Sequence, residues 1–406
     1  LTSYPSALLN RDDAGFAKTL PFGGTTRTRV SSQCLKYHWR NFHGPESIRD
    51  AGAAMSIRSR ETFQRRVAQP LIDEGYPVPL VYIGAMSLRS LLLGETEYRD
   101  SNNRYLKKTS TKKFANAALE GEESILHTDQ IIILGKPEVS YVKQMIRDQI
   151  DEMKEEFEGP IMTGGDLNSD CLDLAHDYWK ECFKSSTDIG KNLQALQASS
   201  GLDAAMFGRM VTSDVLARGD AAIHVAHAFT THPQEAESDY FSAVDELRRD
   251  EPEASGELGA GHINTKELTS GLFYSYVVID VPLLVSNLEG VDQSDWQEAD
   301  RELASEVMRR FVHLMTTVSP GAMLGSTAPY SHAQCLLAES GTAQPRTLAN
   351  AFQSAVPRKN VLKHSYDALA DYLQDMDGMY GHENARRLAA MGPNNGLVDA
   401  TGVAQT

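Results

Sequence analysis

Cysteine is scarce: the 406 residues hold four (Cys34, Cys171, Cys182, Cys335), and no two stand in CxxC spacing. Neither a disulfide framework nor a cysteine zinc site is expected, and reduced thiols in a cytoplasmic protein fit the pattern. Long apolar runs are missing too. The longest, VPLVYIGAM and YSYVVIDVPLLV, are strand-sized and fall well short of the roughly 18 residues that a membrane span needs. The start of the chain lacks the basic and apolar regions of a signal peptide. LTSYPS instead reads as the tail of a strand entering a turn, so a first strand is expected upstream. The GxxxxGK[ST], HExxH and GxSxG patterns are absent, which removes the sequence marks of P-loop nucleotide hydrolases, zinc proteases and α/β hydrolases. Positive charge is in deficit, with 39 Lys and Arg against 55 Asp and Glu and a net charge of −16.

That scarce positive charge is concentrated. Arg11 to Arg66 hold eleven Lys and Arg against five Asp and Glu, a surplus of six, so the remaining residues carry −22. A basic stretch on an acidic body is the electrostatic footprint of a nucleic-acid groove, although a solvated basic helix face gives the same count. Its centre is LLNRDDAGFAKTLPFGGTTRTRVSSQCLKYHWR, residues 8–40. Asn, Asp, Gly and Pro mark the first part as a loop, and Gly23-Gly24 allows positive φ. A helix follows, with Ser31 or Ser32 as its N-cap. On it Gln33, Lys36 and Arg40 are spaced i, i+3, i+7 and share a face, with Tyr37 beside them. Arg27 and Arg29 alternate on the extended segment before the helix, so both should face one way. Free N–H groups and the Ser31 and Ser32 hydroxyls at a helix start, flanked by cations, suit phosphate.

Residues 45–200 read as helix and polar loop. SIRSRETFQRRVAQPLIDEG is amphipathic up to Gly75, and Val142, Met145, Ile146, Ile150 and Met153 form one helical stripe. A second basic cluster runs from Arg104 to Lys113. From about residue 201 the pattern turns β-rich in IHVAHAFTTH and GLFYSYVVIDV, which bracket a polar stretch too long for a tight turn. DWQEADRELASEVMRRFVHLMTTV is a helix with Leu303, Val307, Phe311 and Leu314 in line, and MGPNNGLVDATGVAQT reads as a loose tail. The expected class is α+β: one sheet with large insertions.

Few constellations suggest catalysis. Asp12 and Asp13 could hold Mg²⁺ for phosphodiester cleavage, but neighbouring residues rarely point at one site, and a loop role is favoured. His224, His227 and His232 lack metal spacing and read as satisfied sheet or interface histidines. No metal and no cofactor is expected.

Several segments together resemble the CasC family, the crRNA-binding backbone subunit of the type I-E CRISPR surveillance complex Cascade. They are LNRDD…FGGTTRTRVSSQCLK, then AMFGRMVTSD, HVAHAFTTH, DYFSAVDEL, INTKELTSGLFYSY and SPGAM, in the family's order. The match is densest over 8–40 and 202–280. The resemblance implies an RRM-like (ferredoxin-like) palm from residues 1–44, 201–232 and 263–406. A large helical fingers insertion (45–200) and a β-hairpin thumb (233–262) complete the expected architecture. Copies would stack as a helical filament along the guide RNA, the thumb displacing a nucleotide at regular intervals and leaving the rest stacked to pair with target DNA. Carried over, Arg11, Lys18, Arg27, Arg29, Ser31, Ser32, Gln33, Lys36 and Arg40 would meet the guide backbone. Arg209 and Met210 would approach a base beside the kink, with Tyr240, Phe241 and Ile263 on the thumb, Phe241 and Ile263 as its wedge. Implied partners are crRNA, the target DNA strand, further copies of the chain, and the large, small, 5′-cap and 3′-hairpin-processing subunits, in a cytoplasmic ribonucleoprotein of antiviral defence.

The chain departs from the family where basic residues are common. Thr25 and Thr26 follow Gly24, Met323 follows PGA, and Tyr37 replaces a cation. Two rival readings stand beside the non-catalytic scaffold. One is a guide-directed, metal-dependent ribonuclease of type III character using Asp12 or Asp13. The other is a stand-alone RNA-binding protein.

Overall fold

The computed structural model describes residues 1–93, 97–99, 105–107, 126–128, 130–156, 201–209, 219–244 and 260–403. They form two compact units: Leu1–Ala51 with His224–Val278 and Glu306–Thr406, and Gly52–Ile223 with Ile279–Ser305. Helices and small antiparallel sheets are mixed in the chain, as the α+β expectation requires.

The first unit is built on a six-stranded sheet. Its strands are β1 (Thr2–Ala7), β2 (Thr19–Phe22), β3 (Thr25–Val30), β4 (Ala228–Thr230), β5 (Ala236–Val244) and β6 (Ala260–Tyr274), in the order β1-β6-β4-β3-β2 with β5 on β6. Helix α1 (Ser32–Arg40) follows β3 directly. LTSYPS is thus itself a strand of the sheet, with Thr2, Ser3 and Tyr4 paired to Phe273, Leu272 and Gly271. Gly23 and Gly24 both take positive φ, 59° and 76°, and close a two-residue hairpin between β2 and β3. Gly23 also lies against Gln353, whose carbonyl oxygen would sit 1.5 Å from any added Cβ. The FGG segment is therefore seated on the protein rather than loose.

Strand β6 serves two structures. Its Thr269–Tyr274 end pairs with β1 and β4, and from Ala260 to Thr269 it pairs with β5, in register from Ala236↔Thr269 to Ala243↔His262 and with a shift before Val244↔Ala260. A two-stranded ribbon thus grows out of the sheet, and β6 itself continues through residue 262, where the hairpin was expected to end; residues 245–259 lie outside the described residues. Behind the sheet, rings of Phe22, Phe229, Tyr274 and Phe352 contact in series at 5.3, 5.8 and 5.4 Å. Helix α2 (Glu302–Thr317) buries Val307, Phe311 and Leu314 as its spacing predicts, and Phe311 meets Trp39 of α1 edge-on at 5.3 Å. The tail is not loose. Asn395–Thr401 is helical and buries Leu397, while Asn394 Nδ2 donates to the Ala390 carbonyl at 3.1 Å.

The second unit has its own core. VPLVYIGAM is not a strand but part of helix Val78–Leu93, with Leu80, Val81, Ile83, Ala85 and Met86 all buried. A helix enclosed on every side shows no amphipathic period, so its sequence reads as a bare apolar run. Helix Lys136–Glu156 packs Val142, Ile146 and Ile150 into the same core, as expected. Residues 201–209 and 219–223 belong here rather than with the sheet, and the Asp203 carboxylate accepts from Ser56 N–H (2.8 Å) and Arg58 Nε (3.0 Å). Among the described residues no helix is long and apolar enough to cross a membrane.

Candidate nucleic-acid interface

The site is organised by backbone donors at the start of α1. Ser31 is the N-cap, in extended conformation (φ −69°, ψ 148°), and its Oγ accepts from Cys34 N–H at 3.3 Å. Two further helix-start donors are taken from outside the helix. Asn10 Oδ1 accepts from Ser31 N–H at 2.9 Å, and His227 Nδ1 accepts from Ser32 N–H at 2.9 Å. Asn10 also accepts from Lys18 N–H through its carbonyl (2.9 Å), and the Lys18 carbonyl accepts from Arg29 N–H (2.7 Å). Loop 10–18, the end of β3, the helix start and His227 are thereby tied into one surface.

Leu35 and Trp39 anchor α1 from inside. Gln33 and Tyr37 are exposed on the other face, and Ser32, Lys36 and Arg40 are half-buried between the two. Arg11 is exposed, and Lys18 and Arg29 are half-buried.

Several guanidinium groups elsewhere among the described residues are matched to carboxylates: Arg58 to Asp203, Arg147 to Glu74, Arg309 and Arg310 to Glu306, Arg346 and Arg386 to Asp377. Arg11, Lys18 and Arg29 form no salt bridge among the described residues, and Arg29 Nε is enclosed without a hydrogen-bond partner. The resulting positive field is felt by His227, whose pKa is lowered first by burial and then by Arg29 and Lys18. Burial pushes the Cys34 thiol up to about 11, so it is no nucleophile.

His227 and His232 each accept a backbone hydrogen bond through one ring nitrogen. His232 is 2% exposed; its Nδ1 donates to the Pro233 carbonyl at 2.8 Å and its Nε2 accepts from Leu272 N–H at 3.2 Å. Burial lowers its pKa as it does that of His227. Both folded values lie below 6.5, so the unfolded chain takes up protons first as the pH drops. Stability is therefore expected to be complete above 6.5 and to decline as the pH falls through the folded values. Thermal denaturation over a pH series checks this, and the decline should be shallower in His227→Gln.

The family model Cas_CT1975, described as CT1975-like protein, matches residues 1–404. The chain belongs to the CT1975-like family. The CT1975-like chain also shares its fold with solved structures. One, described as "CRISPR RNA-guided surveillance complex, pre-nicking", matches with a TM-score of 0.66 at 22% identity over 96% of this chain and 90% of that one. A second, described as "CRISPR RNA-guided surveillance complex", matches with a TM-score of 0.56 at 19% identity over 96% and 90%. No curated protein matches.

In this CT1975-like chain three of the expected contact residues are instead internal. Arg27 is fully buried: Nη1 donates to the Thr230 and Thr231 carbonyls (3.0 and 2.8 Å), Nη2 to the Phe352 carbonyl (2.9 Å), and Nε to Thr25 Oγ1 (2.8 Å). The expectation that Arg27 and Arg29 share one open surface is thus corrected. Thr25, the departure after Gly24, serves that buried arginine. Arg209 is 4% exposed and pairs with the buried Glu138 at 2.7 Å, so it does not face a ligand. Ser31 is 7% exposed, its oxygen held by the cap. Met210 lies outside the described residues. Tyr240, Phe241 and Ile263 fall on β5 and β6, where Phe241 pairs with Asn264 and Ser242 with Ile263, so Phe241 and Ile263 occupy neighbouring rungs.

Asp12 organises its own loop, Oδ1 accepting from Ala14 N–H (3.0 Å) and Phe16 N–H (2.9 Å). Among the described residues no three His, Cys, Asp or Glu gather as a metal site. Sequence reasoning overlooked Asn10 and Phe16. An Asn directly before Arg-Asp-Asp in a turn-rich stretch was the available signal for the first, since such side chains commonly bond to nearby backbone.

Proposed function

We propose that this CT1975-like chain is a non-catalytic, crRNA-binding backbone subunit of a Cascade-type CRISPR surveillance complex, of the type I-E kind. The observation that carries it is the trio Arg11, Lys18 and Arg29, which form no salt bridge among the described residues and lie on the loop and strand tied to the start of α1, in a chain whose fold is that of surveillance-complex subunits. Phosphate contacts give affinity without reading sequence, which suits a carrier of guides of any sequence. Sequence is then read by pairing of the guide with target DNA. The β5–β6 ribbon is the thumb of this reading, with Phe241 and Ile263 as its wedge, and the sheet of the first unit is the palm. Further copies along the guide repeat the patch, so that a modest local surplus of charge accumulates over the whole RNA. The acidic remainder of the chain discourages nucleic acid outside the groove.

Changing Lys36 and Arg40 together to Ala should weaken single-stranded RNA binding and flatten the slope of log K against log salt by about 1.4, the value for two phosphate contacts. Fluorescence anisotropy over a salt series measures this, and an unchanged slope removes α1 from the RNA. In the same preparation with Mg²⁺, complementary RNA should stay intact. Regular fragments abolished by Asp13→Ala would favour the ribonuclease.

A further inference from the structure

Two aromatic rings stand exposed on the loop and the helix that this surface ties together, and the RNA-binding reading does not assign them. Phe16 is 58% exposed and Tyr37 is 56% exposed. Neither position is loosely held. Phe16 donates its N–H to Asp12 Oδ1 (2.9 Å), and its carbonyl accepts from Asp12 N–H (2.8 Å). The next residue, Ala17, donates its N–H to Glu267 Oε2 at the root of the ribbon (3.1 Å), and Arg11 bridges to Ala17 across the loop. Tyr37 is carried on a helix fixed by Leu35 and Trp39. Its ring stands edge-on to His38 (5.4 Å between centroids, 88°), and His38 Nε2 in turn accepts from Gly321 N–H at 3.4 Å. Asn10 joins the two supports, bonding the loop to the helix start.

From this placement we infer that Phe16 and Tyr37 are stacking platforms for bases or sugars of the bound RNA strand, with Lys18 and Arg29 taking phosphates between them. The inference rests on the RNA-binding reading and deepens it. Leaving a large apolar ring in water on an ordered loop forgoes burial energy, and rings placed with cations on one tied surface offer both faces for bases and charge for phosphates, as a single strand requires. Stacking tolerates any base, because every base has a π-face. A ring at Tyr37 offers a contact that does not depend on salt, beside cations whose contacts do.

The test uses the full chain and single-stranded RNA of mixed sequence carrying 2-aminopurine, with affinity measured by anisotropy over a salt series. Tyr37→Leu and Phe16→Leu should each weaken binding about tenfold while leaving the salt slope as in the unaltered chain. Tyr37→Phe should retain affinity, and the quenching of 2-aminopurine on binding should vanish in the double Leu variant. Melting temperatures should not move, since both rings are exposed. The inference is overturned if the Leu variants bind and quench like the unaltered chain, or if they lose self-association while keeping RNA affinity, which would make the rings a contact between copies. Failure of the unaltered chain to bind RNA at all would remove the proposed function itself.

Discussion

Arg27→Ala is expected to destabilise the first unit by about 3 kcal/mol or more, with no RNA present. The side chain is fully buried and spans three separate pieces of chain, donating to carbonyls of Thr230, Thr231 and Phe352. Removing it leaves all three acceptors without their donor in a dry interior and opens a cavity beside the Phe22 ring, over which the guanidinium lies at 5.8 Å. Arg27→Lys should recover only part of the loss, because an ammonium cannot reproduce the planar fork. Urea denaturation of the isolated chain reads both changes directly. A variant as stable as the unaltered chain would return Arg27 to the surface and to the guide contacts that the resemblance implied.

The second large effect lies in the other unit. Arg209 and Glu138 have side chains only 2% and 0% exposed and meet at 2.7 Å. Replacing either alone, as Arg209→Met or Glu138→Leu, strands a buried charge and should cost about 3–5 kcal/mol. The double replacement should regain most of that, because neither charge then needs a partner. Recovery stops short of complete: Glu138 Oε2 also accepts from Gly135 N–H at 2.7 Å, and that donor stays unpaired in the double variant. A double-mutant cycle in urea checks the coupling, and strictly additive losses would show that the two groups do not depend on each other.

These two arginines also show how far a sequence carries. Arg27 and Arg29 are identical in type and two residues apart, and alternation predicted a common fate. Which of them is internal depends on carbonyls some 200 and 325 residues away, which no local pattern encodes. Local devices were legible for the opposite reason. The Ser31 cap, the glycine pair at the hairpin and the apolar faces of α2 and of helix Lys136–Glu156 are each set by neighbours within a turn or two. VPLVYIGAM was misread because a fully enclosed helix has no polar side to reveal its period, and the C-terminal tail because only Leu397 marks its burial. On the candidate site, charge and spacing located α1 and its outer face. They could not show that loop 10–18 is drawn onto the helix start through Asn10, which is what places Phe16 beside the cations.

The continuity of β6 has a mechanical consequence. Fifteen extended residues make a beam of about 50 Å that enters the central sheet without a joint. Its sheet end is clamped by β1 on one flank and β4 on the other. Antiparallel hydrogen bonds lie across the strands, so tension along β6 loads many rungs in shear at once, whereas a sideways push on the ribbon would part them one at a time. The ribbon is therefore a cantilever, stiff along its length and compliant in bending. Force carried by the regularly paired rungs from Ala236 to Ala243 is delivered through β6 to β1 and the first residues of the chain.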